Sequence, residues 1–291
     1  MTNEQKHEIR LLTIDFVSKH PSQNQAAANL KGVSSATLTQ VIKENWKLIS
    51  NDMWNKLGKQ VGYTAPEWVY TETSVSKKIM SHLDLARDRK VSNIMGIIAP
   101  AGSGKTFTAE HHAEINRDDI LVKCKRGMTV RKMYRMVLRA IGVNPEGYRM
   151  DDMEDMIYTR VTKRANPTIV FDEIDKAKPE VWLELICLYN EFKDKCNIVT
   201  LSTPVFKTKI ENGVKSGRLG FDELHSRFGG GFVNVGAADA YDQAAIAIAN
   251  GLPNPKDIDD VVEKCQRMEK CDLRVGSDVI KAKKEKYNKA A

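Results

Sequence analysis

Apolar positions recur along this chain with helical spacing at both ends and as short solid runs in the middle, and that change divides it. From Glu4 to His20, and again through Leu38, Val41 and Ile42, they recur three to four residues apart, as on one face of a helix. Ser22 with Gln25 three residues on, and Ser34 ahead of its apolar run, are hydroxyl caps for helix starts. Residues 1–60 are therefore expected to form a small all-helical domain. Within it Ala28 lies four before Gly32, so that a small residue lets two helices approach and the glycine turns the chain between them. That is the pattern of a helix-turn-helix, whose second helix would turn Ser35, Ala36, Thr39, Gln40 and Lys43 outward toward DNA. A plain interaction bundle has the same periodicity, and both readings stay open.

Gly62-Tyr63-Thr64-Ala65-Pro66 breaks the helical pattern and reads as a linker, assigned to residues 61–72. Helical spacing resumes over Thr73–Arg89 through Val75, Ile79, Leu83 and Leu85. Beyond it, short apolar runs at Asn93–Ile98, Ile120–Cys124, Thr168–Phe171 and from Asn197 alternate with helical stretches at Thr106–Ile115, Thr129–Ile141 and Asp151–Arg164. Such alternation predicts an α/β domain over residues 73–236, with a parallel sheet covered on both faces. From Asp239 onward the pattern is wholly helical (Asp239–Asn250, Pro255–Met268, Leu273–Tyr287), so residues 237–291 are expected to form a small lid.

Composition narrows the class. A chain of 291 residues with 42% hydrophobic content can bury a sizeable core and suggests two domains. No run of about eighteen apolar residues appears, nor a charged-then-apolar N-terminus, so a soluble, cytoplasmic protein with no membrane partner is expected. The 5 cysteines show no CxxC spacing and are expected to be reduced thiols. The formal charge of +7 favours a polyanionic partner. Its distribution says more: Arg117, Lys123, Lys125, Arg126, Arg131, Lys132, Arg135 and Arg139 gather in one stretch against Asp118 and Asp119. The lysines at 281, 283, 284, 286 and 289 read as a solvated helix end.

Candidate chemistry begins at Ala99-Pro100-Ala101-Gly102-Ser103-Gly104-Lys105-Thr106, which fits a P-loop at every position but the first, where glycine is usual. Glycines there let backbone N–H groups cradle nucleotide phosphates, the lysine reaches the β/γ-phosphates and the threonine hydroxyl binds Mg²⁺. Pro100 through Thr106, with Phe107 beside them, are thus candidates for holding ATP or GTP. Asp172 and Glu173 end an apolar strand, where ligands of open α/β sheets bind. They read as a Walker B pair, with Asp172 holding Mg²⁺ and Glu173 orienting the attacking water. Ser202 or Thr203, ending another strand placed between those two, would face the γ-phosphate; capping ahead of Pro204 is the competing role. Arg227, after a Gly-rich connection, is a candidate to reach a neighbouring subunit's nucleotide, or is a surface arginine. His111 and His112 are read as bystanders on the P-loop helix, and Trp54, Trp68 and Trp182 as packing residues.

Over residues 65–288 these motifs resemble the AAA+ ATPases. Asp172-Glu173 looks like Walker B, Thr203 like sensor 1, Ser226-Arg227-Phe228 like the arginine-finger box, and Asp272-Leu273-Arg274 like the lid motif that carries sensor 2. Within that class, a helix-turn-helix followed by Glu72-Thr73, a helix, the P-loop and Lys125-Arg126-Gly127-Met128-Thr129 is similar to the transposition ATPases of the phage Mu B type. The resemblance implies ATP and Mg²⁺ as cofactors and self-association into a helical filament or ring on double-stranded DNA. It also implies a transposase as partner and Glu173, Thr203, Arg227 and Arg274 as the hydrolytic set. Lys123, Lys125, Arg126, Thr129, Arg131 and Lys132 would then line the DNA channel, positioning it without reading sequence. A replication initiator or helicase loader shares the ATPase core, but usually carries its DNA-binding module after the lid, whereas here the candidate module precedes the P-loop. A nucleotide-gated helix-turn-helix transcription switch is the other alternative; Glu173 and Arg227 argue against it.

Overall fold

The computed structural model describes residues 3–63, 68–88, 94–229, 231–252, 254–266 and 271–290. The chain separates into a unit ending at Val69 and a unit beginning at Tyr70.

The first unit is all-helical: α1 (Asn3–Ser18), α2 (Gln23–Ala28), α3 (Ser35–Ile42), a 3₁₀ turn at Trp46–Leu48, and α4 (Asn51–Gln60). Ser22, Ser34 and Ser50 cap α2, α3 and α4 by accepting the N–H of Gln25, Thr37 and Met53. Each such cap contributes about 1 kcal/mol. Ile9, Leu38, Trp54 and Leu57 are fully buried in its core. The expected role of Ala28 is corrected: Ala28 is exposed, and Ala26, fully buried, is the small residue at the helix contact. Gly32 takes φ 65° in the turn between α2 and α3, a conformation that costs glycine little. Tyr63, expected in the linker, packs against this core and donates its N–H to Gly58 O. Thr64, Ala65 and Pro66 lie outside the described residues.

The second unit opens with α5 (Ser74–Asp88), followed by β1 (Ile94–Ile98), α6 (Lys105–Ile115), β2 (Asp119–Lys123), α7 (Val130–Ala140), α8 (Met150–Val161) and β3 (Thr168–Asp172). A 3₁₀ turn at Ile174–Lys176, α9 (Pro179–Glu191), β4 (Asn197–Ser202), α10 (Pro204–Lys215), α11 (Phe221–Arg227) and β5 (Val233–Asn234) complete its α/β part. The helical end holds α12 (Ala240–Ala249), α13 (Pro255–Gln266) and α14 (Leu273–Ala290). The strands form one parallel sheet in the order β2-β3-β4-β1-β5. β1, β3 and β4 are buried along their whole length, which is why they read as solid apolar runs. Leu85, expected on the inner face of α5, is exposed; Val75, Ile79, Leu83 and Ala86 form that face. Arg89, Asn93 and Met268, expected at element ends, lie outside the described residues.

Register aligns the carboxyl ends of the strands: Ile98 pairs with Ser202, and Leu201 with Asp172, which pairs with Lys123. The P-loop, both acids and the start of the basic stretch therefore share one edge. The expectation that every cysteine is a free thiol is also corrected. Cys265 and Cys271 form a disulfide joining the end of α13 to the approach to α14, while Cys124 and Cys196 are buried thiols and Cys187 an exposed one. No helix among the described residues is long and apolar enough to cross a membrane.

Candidate nucleotide site and basic groove

The turn from β1 into α6 is made by Gly102 and Gly104, at φ 73° and 87°, conformations a side chain would strain. Ala99, where the motif usually has glycine, has no positive φ; it continues the sheet by donating its N–H to Ser202 O at 3.2 Å, so alanine fits there. Ser103 Oγ donates to Pro100 O at 2.8 Å, closing the loop on itself. Lys105 is 9% exposed and folds back along the loop, donating from Nζ to Ala99 O and Pro100 O at 2.8 and 2.7 Å. Burial pushes its pKa down, more strongly than Asp172, Asp175 and Glu173 pull it up, and the charge of Arg274 adds to the lowering. That effect brings Arg274, at the start of α14, into electrostatic reach of the P-loop. The lid makes a direct link too: Leu273 N donates to Gly102 O at 2.9 Å. Asp272 packs so closely that a Cβ on Gly102 would come 2.1 Å from its Oδ1.

Thr106 Oγ1 donates to Asp172 Oδ2 at 2.7 Å, bridging residues 66 positions apart. Asp172 is 1% exposed, and its Oδ1 has no hydrogen-bond partner among the described residues. Burial raises its pKa, with the Glu173 charge adding and the Thr106 bond opposing. A buried anionic oxygen without a partner beside a threonine hydroxyl is a hard-oxygen pair of the kind Mg²⁺ uses together with substrate phosphates, so the residues present fit that ion. Glu173 follows at φ 55°, in the left-handed region that a non-glycine residue rarely adopts. Its Oε1 lies 2.5 Å from Lys176 Nζ.

Thr203 begins α10 but makes no side-chain cap; its Oγ1 donates to Asp175 Oδ2 at 2.7 Å. Ser202, 1% exposed, has a hydroxyl without a partner among the described residues. β4 does lie between β1 and β3. Arg227 stands apart from this group: it ends α11, pairs with Glu223 at 2.9 Å, and its guanidinium lies 4.9 Å from the Tyr189 ring centre. Phe107 is partly exposed one position past Thr106, and its ring neighbours Tyr70, which stacks on His111 at 3.7 Å. His112 is buried between two carboxylates, its Nε2 3.0 Å from Asp84 and its Nδ1 2.7 Å from Asp119. Trp54 and Trp182 are buried, the latter donating from Nε1 to Ile174 O.

The basic stretch turns at Lys125–Met128 and enters α7, whose buried Met133, Tyr134, Val137 and Leu138 press its cations outward. Thr129 caps α7 by accepting Lys132 N. Lys123, Lys125, Thr129, Arg131 and Lys132 line one groove of about 630 Å³ beside β2, the edge strand, floored by Leu121, Met136 and Ala140. Arg126 is exposed on the turn and does not line it. Arg135 and Arg139, which sequence reasoning noted only as charge, do line it. Their spacing from Arg131 and Lys132 on one helical face was the available signal. The groove's cations are loosely countered: Arg135 and Arg139 by Glu146, Lys123 by Glu110. In the first unit, Gln23 Nε2 donates to Ser35 O and Thr39 Oγ1, both at 2.7 Å, while Gln40 is half-buried and Lys43 exposed. Asp175, Lys176 and Asp272 are further neighbours of the nucleotide site that sequence reasoning did not single out.

Residues 88–209 match the AAA domain family. Among solved structures, Cdc6p from Pyrobaculum aerophilum is similar with TM-score 0.54 and 13% identity, over 73% of this chain and 62% of that one. Drosophila ORC bound to DNA is similar with TM-score 0.48 and 15% identity, over 74% of this chain and 55% of that one. The chain thus spans about three-fifths of the length of the Cdc6p it matches, and at such identity the likeness is one of fold. With its P-loop, Walker B strand and parallel sheet within that matched segment, the fold is that of the AAA+ ATPases.

Proposed function

We propose that this protein is an ATPase that binds double-stranded DNA, assembles on it in the ATP state, and hands that DNA to a transposase. The observation that carries the reading is register: Lys123, in the basic groove, pairs with Asp172, which is bonded to the P-loop threonine. A polyanion site and a triphosphate site then share one sheet edge. Pro100 to Phe107 hold the phosphates by backbone N–H groups, and Lys105 leaves its own carbonyls for the β/γ-phosphates. Thr106 and Asp172 would hold Mg²⁺, which when bound neutralises charge on the β- and γ-phosphates. Glu173 takes the proton of the water whose oxygen attacks the γ-phosphorus, while the bond to the β-phosphate oxygen breaks and ADP leaves with its electron pair. Thr203, held by Asp175, and Arg274, from the lid, face the γ-phosphate; Arg227 serves a neighbouring subunit. Lys123, Lys125, Thr129, Arg131 and Lys132, with Arg126 at the rim, bind backbone phosphates, which gives affinity without sequence preference. Ser35, Thr39, Gln40 and Lys43 add auxiliary DNA contacts from the first unit.

A replication initiator or loader is the second reading, favoured by the fold likeness to a Cdc6p. Electron microscopy of Glu173→Gln with duplex DNA and ATP separates them. Helical filaments that Lys105→Ala does not form are expected; closed rings of fixed size would favour the loader, and no ATP-dependent assembly would overturn the proposal.

A further inference from the structure

One contact at the nucleotide site opposes the chemistry proposed for it. Glu173 opens the 3₁₀ turn Ile174–Lys176, a geometry that stacks side chains three residues apart, and so its carboxylate meets the Lys176 ammonium at 2.5 Å. A carboxylate oxygen shared with an ammonium is not open to accept from a water molecule. Neither partner is buried: the side chains are 31% and 48% exposed, so the pair is weak enough to exchange.

The backbone of Lys176 is tied to the basic turn. Gly127 N donates to Lys176 O at 3.0 Å, and Lys178 N donates to Met128 O at 3.1 Å. These bonds zip residues 176–178 against residues 127–128, which lie between the groove residues Lys125 and Thr129. One strand inward, Cys124 N donates to Asp172 O at 2.8 Å. Any shift of the 125–129 turn is therefore carried to the residue that holds Glu173.

We infer that Lys176 restrains Glu173 in the absence of DNA, and that duplex phosphates drawing on the 125–129 turn disengage Lys176 and free Glu173 for hydrolysis. This makes Lys176 a positioning residue acting through Glu173, and it rests on the proposed ATPase and DNA-groove reading. Lysine suits the part: its single compact charge on a flexible stem can leave one anion for another without breaking a fork of bonds.

The test measures ATP turnover with and without duplex DNA of arbitrary sequence, together with DNA affinity, for the wild type, Lys176→Met and Lys176→Arg. Lys176→Met is expected to raise kcat without DNA about fivefold, leaving KM for ATP unchanged, and to shrink the stimulation by DNA by the same factor. Its DNA affinity should match the wild type, and Lys176→Arg should keep the stimulation. If Lys176→Met has wild-type turnover and wild-type stimulation, the restraint is overturned while the ATPase reading stands. If its stimulation falls only because DNA affinity falls, Lys176 is a groove cation and the inference is likewise overturned. A wild type that hydrolyses no ATP under either condition overturns both readings.

Discussion

The nucleotide site and the basic groove occupy the same sheet edge but are built on opposite principles. Around the P-loop the charged groups are buried and mutually bonded: Lys105 on its own carbonyls, Asp172 on Thr106. In the groove the cations stand at the rim of an open surface, paired to glutamates that are themselves partly exposed. Buried charges act at low effective dielectric and lose much when one is removed, whereas exposed ones are screened and share the load. A single substitution should therefore silence the first region, while the second should weaken by increments.

The sharpest way to break this contrast lies at Arg227, because it asks whether the buried site is complete within one chain. Its partners here are Glu223 and Tyr189, not P-loop residues. Arg227→Ala is expected to bind ATP normally but hydrolyse it roughly 10³-fold more slowly. Mixed with Lys105→Ala, each variant alone being inactive, it should regain part of the activity. No recovery in co-assembled mixtures would mean that Arg227 does not act across subunits.

Charge reversal at Lys125, Arg131 and Lys132 probes the other side. DNA affinity should fall to a similar extent on unrelated duplexes, with the salt slope shallower by roughly 0.9 for each phosphate no longer neutralised, while ATP affinity stays unchanged. A loss confined to one sequence would relocate recognition to the first unit.

The smallest effect is expected behind both regions, at His112. On α6 it lies between Asp84 of α5 and Asp119 of β2, with Arg87 Nε 3.5 Å from the far oxygen of Asp119, so it joins the helix leaving the P-loop to the strand entering the groove. Burial alone would lower its pKa, but the two carboxylates outweigh burial and raise it. A raised folded-state pKa gives stability that is fully present below the unfolded value, about 6.5, and lost as pH rises through the folded one. The Tm advantage over His112→Gln should then shrink by about 2–4 °C from pH 6 to pH 9, the shift that ~1 kcal/mol makes in a chain of this size. A difference independent of pH would show that His112 is held neutral.

What could be read without coordinates was what the chain encodes within a few residues. The P-loop turn needs glycine at two positive-φ positions, hydroxyl caps sit next to the helices they start, and central parallel strands are solid apolar runs; each signal is contiguous, because backbone geometry is decided locally. Faces were less legible. Periodicity over a short helix leaves the buried stripe uncertain by one or two positions, which is how Ala28 and Leu85 were turned inward when Ala26 and Ala86 occupy those faces. Partnerships were not legible at all. That Thr203 bonds Asp175, that Arg135 and Arg139 join the groove, that Asp272 rests on Gly102 and that Cys265 bonds Cys271 are outcomes of packing between separate elements. So is the zipping of residues 176–178 to the basic turn, which follows from β2 and β3 being neighbours in one register. Strand order and register are set by how whole elements bury their apolar faces together, and no short stretch of sequence carries that information.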